Sequence, residues 1–151
     1  MTLGCVCILV SCCLFGYEKY RQNKEIKDLQ KLYSQTIQLI PNTAISSDNA
    51  YLDVQGHDIQ AVLQVNHIRW VIAKEESLPH YENKNIVIPD SYLKQLQSLK
   101  TKDILTIHTI SGDKKQFELE VIGEVDMLSK DTLEMYCRNG SKYYCINLIA
   151  H

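Results

Sequence analysis

The sequence has no surplus of positive charge. Lysine and arginine total 16 against 18 aspartates and glutamates, a formal net charge of −2. No basic face is therefore available to displace counterions from phosphates, which argues against a nucleic-acid protein. Among six cysteines no C-x-x-C pair is joined to a second one, so a structural zinc site is not expected, and nothing calls for a cofactor. Internal repeats and low-complexity tracts are absent. What is present is an apolar fraction adequate for the core of one domain in 151 residues.

Four of the cysteines, Cys5, Cys7, Cys12 and Cys13, lie in an uncharged stretch over residues 3–16. There they read as small apolar filler. The stretch is shorter than the roughly 20 residues that span a bilayer. With Tyr17 and its neighbours as interfacial anchors it reads as a short membrane anchor over residues 1–17. A lipoprotein signal is the alternative, because Leu9-Val10-Ser11-Cys12 resembles a lipobox with Cys12 as the lipidated residue. No basic residue precedes the run, although signal segments usually carry one. Lys19, Arg21, Lys24, Lys27 and Lys31 all follow it, which on charge alone places the domain in the cytoplasm.

Residues 18–49 read as a helical stalk and linker. Tyr20, Ile26, Leu29, Leu32 and Tyr33 recur at helical spacing until Pro41, and a polar run follows. Residues 50–151 are predominantly β in pattern. Short strands are expected over 51–54, 59–65 and 86–88, and longer ones over 104–110 and 116–127. Two more, over 133–137 and 143–149, flank Asn139-Gly140, a strong hairpin signal. Residues 67–70 carry no clear pattern, 77–83 read as loop, and 92–99 as two helical turns. Many short strands with frequent turns and little helix predict a mostly β fold, a small barrel or sandwich.

The order of these features resembles the sortase family, the membrane-anchored cysteine transpeptidases of Gram-positive cell surfaces. Ser77-Leu78-Pro79 resembles the family's Ser/Thr-Leu-Pro loop. Lys84 to Ser91 is similar to the strand that delivers the family's catalytic histidine. Leu96-Gln97-Ser98-Leu99-Lys100-Thr101-Lys102-Asp103 is similar to Leu-x-x-Leu-Lys-x-Gly-Asp, and the terminal hairpin falls where the family carries Thr-Leu-x-Thr-Cys and a later arginine. The resemblance covers roughly residues 50–150. It implies a closed barrel of about eight strands with short helices, held outside the cell membrane by the anchor and stalk. It also implies a groove for a sorting-signal peptide such as Leu-Pro-x-Thr-Gly.

Sortase chemistry uses a cysteine thiolate as nucleophile, a histidine as general acid and an arginine at the oxyanion. This sequence departs from that set. The histidine slot falls on Ser91, with Asp90 before it; an ungapped fit puts Arg138 in the cysteine slot and Cys145 in the arginine slot. Cys137 lies one residue before the nucleophile slot, so strand alternation turns it to the other face unless a bulge intervenes. The expectation is a sortase-like pseudoenzyme that binds a peptide or surface protein. The alternative is an active transpeptidase with Cys137 as nucleophile, Arg138 as the neighbouring cation and His80 as acid. His57, His67 and His108 read as surface or packing residues. A disulfide between Cys137 and Cys145 is a further possibility; a tight turn at Asn139-Gly140 opposes Cys137 to Lys142 and Cys145 to Glu134, and a wider loop lets the thiols meet.

Overall fold

The computed structural model describes residues 2–40 and 51–151. Within the first helix, the side chains of residues 2–15 and of 18, 22, 25 and 26 lie outside that description. Helix α1 runs Thr2–Leu39. Among the described residues nine strands follow: β1 (Leu52–Val54), β2 (His57–Val65), β3 (Ile68–Ala73), β4 (His80–Glu82), β5 (Asn85–Val87), β6 (Ile104–Thr109), β7 (Lys114–Val125), β8 (Glu134–Asn139) and β9 (Lys142–Ala150). A 3-10 turn, Asp90–Tyr92, leads into helix α2, Leu93–Gln97.

The strands close on themselves. In the order β2-β3-β4-β5-β8-β9-β7-β6 each pairs with its neighbour, and β6 pairs back onto β2 from Ala61↔Thr109 to Val65↔Leu105. Eight strands therefore form the barrel, and β1 covers the remaining edge of β2 through Leu52↔Ile59 to Val54↔His57. Two of the pairings, β3 with β4 and β5 with β8, are parallel. Closure removes much of the free strand edge among the described residues and is thinnest at β3–β4, where the single pair is Ala73↔His80.

Strand β3 was not legible as a strand, because it is buried on both sides and shows no alternation. Trp70, Val71, Ile72 and Ala73 are all buried. Its outer side lies under α1, whose Leu29, Leu32, Tyr33 and Thr36 are buried. Tyr33 donates to Gln64 Oε1 at 3.2 Å, and the Arg69 guanidinium sits 5.7 Å from the Tyr33 ring centroid. Gln64 and Arg69 are cross-strand partners, so this contact fixes the helix over the β2–β3 seam. The second half of α1 is thus part of the domain's packing. Residues 41–50, which include the rest of the expected linker, lie outside the described residues, as do Met1 and the side chains of residues 2–15 of the expected anchor. Among the described residues no helix is long and apolar enough to cross a membrane.

The expected loop over 77–83 is in part a strand. His80 to Glu82 pairs with β5 from His80↔Val87 to Glu82↔Asn85, across the two-residue turn Asn83-Lys84. Both turn residues have positive φ, 53° and 90°. That is the type I′ pattern, which matches strand twist and favours Asn followed by Gly. Lysine at the second position carries the steric cost of the left-handed region. Lys84→Gly, at an exposed site, is expected to raise stability by about 1 kcal/mol in urea unfolding. No gain would show that the turn relaxes without it.

Candidate functional site

The β8–β9 hairpin turns at Gly140-Ser141, one residue later than the Asn-Gly signal implies. Asn139 pairs with Lys142, Cys137 with Tyr144 and Tyr136 with Cys145. Gly140 has φ +64° while neither Asn139 nor Ser141 is left-handed, so a single positive φ at the first turn position decides the register. This corrects the expected opposition of Cys137 to Lys142. It also removes the disulfide. Cys145 shares a face with Tyr136, and Cys137, the next residue, points to the other face; both thiols are free.

Those two faces divide the candidate residues. Met135, Cys137 and Ile146 belong to the barrel core, with Tyr144 packed against it. Glu134, Tyr136, Arg138, Tyr143, Cys145 and Asn147 share the outer face. Cys137 has no exposed surface. Its thiol donates to the Arg138 carbonyl oxygen at 3.6 Å. Burial, with a smaller contribution from the Asp90 charge, pushes this thiol from 9.0 up to about 11. Cys145 is equally buried, beneath the loop over 126–133, and its thiol is pushed up to about 12 by burial and then by Glu134.

The other two expected catalytic residues are not beside Cys137. Arg138 is exposed on the outer face, where its Nε donates to the Gly140 carbonyl at 3.3 Å. His80 is half-buried, and its Nδ1 lies 2.9 Å from the Leu78 carbonyl oxygen. Across the sheet His80 lines up with Val87, and Val87 with Tyr136, so the imidazole is on the face that Cys137 turns away from. Asp90 and Ser91 lie on the 3-10 turn and line a cavity of about 490 Å³ between α1 and the barrel, with His57 and Glu76. Among the described residues no cluster suits a metal ion.

Two residues carry roles that the sequence alone did not suggest. Tyr136 donates to Glu82 Oε2 at 2.7 Å and meets Tyr143 edge-on at 5.8 Å between centroids. Burial and this acidic partner hold its hydroxyl well above the usual phenol range. Glu134 is 4% exposed, a rare state for a carboxylate, and its backbone N–H donates to Asn85 Oδ1 at 3.0 Å. The available signal was one acidic residue on the alternate face of an otherwise apolar and aromatic strand.

The raised thiols make stability fall at alkaline pH. Below 9.0 both states hold the protons. As pH rises above 9.0 the unfolded chain releases them, while the folded chain keeps Cys137 protonated to about 11 and Cys145 to about 12. The urea midpoint is expected to drop between pH 8.5 and 10.5, and less steeply in the Cys137→Ala/Cys145→Ala double variant. Equal slopes in the two proteins would contradict the assignment.

No protein-family model matches the chain, and no curated protein sequence matches it. Its likeness is to sortases. Sortase A from Corynebacterium diphtheriae matches with a TM-score of 0.48 and 9% identity, over 86% of this chain and 84% of that one. Sortase C from Clostridium perfringens SM101 matches with a TM-score of 0.45 and 12% identity, over 90% and 97%. The Clostridium perfringens sortase C structure with the C-terminal cell wall sorting motif gives 0.43 and 15%, over 93% and 98%.

Proposed function

We propose that this chain is a sortase-like binding module that takes a peptide or protein partner and performs no transpeptidation. The observation that carries this reading is Cys137: fully buried, facing the core, and held protonated well above neutrality. A nucleophilic cysteine needs the thiolate, access for a carbonyl carbon and a base or cation beside it. Among the described residues Cys137 has none of these. The nearest expected acid, His80, serves the other face of the sheet. The same reading places residues 1–17 at the cell membrane and the barrel outside it, with a sorting-signal-like peptide or a surface protein as partner.

The test is a single-turnover assay of the full chain with a quenched fluorescent peptide containing Leu-Pro-x-Thr-Gly. Cleavage by the wild type is expected to equal that of Cys137→Ala. Cleavage that disappears in Cys137→Ala would establish the transpeptidase reading instead.

A further inference from the structure

Resting on that reading, the geometry points to the partner's chemistry: a guanidinium group seated against Glu134, Asn147 and Glu120 on the outer face of β7, β8 and β9. A cavity of about 280 Å³ opens there, walled on one side by residues of the loop over 126–133. Glu134 lines it. Its Oε1 accepts from the Ser129 N–H and the Thr132 hydroxyl, each at 3.3 Å. Its Oε2 is buried with no hydrogen-bond partner among the described residues. Bonds of 3.3 Å are long for contacts to a carboxylate, so a cationic donor entering from the cavity competes with them readily.

Acceptors continue across the sheet. Asn147 is the direct cross-strand partner of Glu134 on one side and of Glu120 on the other. Its Nδ2 donates to Glu120 Oε2 at 3.0 Å, which leaves its side-chain carbonyl as an acceptor. Among the described residues no lysine or arginine pairs with Glu134 or Glu120. Three neighbouring acceptor groups in a row, two of them anionic, match a flat group with several N–H donors. Guanidinium carries five in one plane and sheds water more easily than an ammonium, which suits a half-buried site. Exposed Ile122 and Met127 line the same cavity, where the methylene stem of an arginine would lie. The Cys145 thiol in the cavity wall stays neutral, so the negative charge facing a cation there comes from the carboxylates.

Guanidinium reaches the site either on an arginine of a partner segment or on a small guanidino compound, and three probes separate these sources. Calorimetric titration of the full chain uses acetyl-Ile-Arg-Leu-amide, acetyl-Ile-Lys-Leu-amide and free N-acetylarginine amide. The arginine peptide is expected to bind at least tenfold tighter than the lysine peptide. Glu134→Gln is expected to weaken it at least tenfold. Glu120→Lys, at an exposed position, should do the same and serves if Glu134→Gln fails to fold. Equal affinity of N-acetylarginine amide and the arginine peptide would support the guanidinium site and assign it to a small compound. Unchanged affinity in the folded variants, no preference over lysine, or no saturable binding by the folded wild type would overturn the inference. Cys137-dependent peptide cleavage, by contrast, would overturn the proposed function and leave arginine binding to be judged by its own titration.

Discussion

Trp70→Ala is expected to lower the stability of the folded chain by about 3–5 kcal/mol, the range for truncating a buried tryptophan. Trp70 is 2% exposed on β3, opposite Leu63 of β2. Its indole N–H donates to Gln95 Oε1 at 2.8 Å, and its ring lies 6.1 Å from that of Tyr92 at 60°. One side chain therefore joins the barrel wall to the 3-10 turn and α2. Truncation leaves a cavity, and it also leaves the Gln95 carbonyl without its donor. Trp70→Phe keeps most of the packing and is expected to cost clearly less than alanine. Urea unfolding at neutral pH measures both; a loss under about 1.5 kcal/mol for the alanine variant would mean that the site collapses around the gap.

The second large effect is on thiol chemistry. In a full-length variant with Cys5, Cys7, Cys12 and Cys13 replaced by alanine, only Cys137 and Cys145 remain. At pH 8 their thiolate fractions follow from values of about 11 and about 12 against the ordinary 9.0. Each step of one in pKa is a factor of ten in thiolate, so Cys137 is expected to be slower than an open thiol by about a hundredfold and Cys145 by about a thousandfold. Burial slows both further, because the reagent must wait for an opening of the sheet. Reaction with an aromatic disulfide reagent should be slow in buffer and fast in urea, for both thiols. A rate in buffer within tenfold of the unfolded rate would place a thiol at the surface and reopen its use as a nucleophile.

How much of this was legible depends on which face of the sheet a residue serves. The long strands β6, β7, β8 and β9 announce themselves through alternation and through the Asn-Gly signal. That pattern alone allows a barrel or a sandwich, and the closed barrel of eight strands is what the sortase resemblance implied. Strand β3 was obscured because α1 covers its outer side and erases the alternation. Strand β4 was obscured because three residues are too few to show a period. At the candidate site, the departure of Cys137 from the nucleophile slot was legible as a one-residue offset. Its consequence required the register, and the register turned on whether Gly140 takes the first or the second turn position. Glu134 was invisible as a binding residue because its meaning lies in Asn147 and Glu120, distant in sequence and adjacent across the strands.

The most direct test of a binding module without transpeptidase chemistry is capture of the covalent intermediate. The full chain is incubated with excess peptide containing Leu-Pro-x-Thr-Gly, quenched in acid and weighed intact, with a second sample treated with hydroxylamine to release any thioester as its hydroxamate. The account predicts the mass of the unmodified chain and no hydroxamate. An acyl adduct on Cys137, released by hydroxylamine and absent from Cys137→Ala, would contradict it.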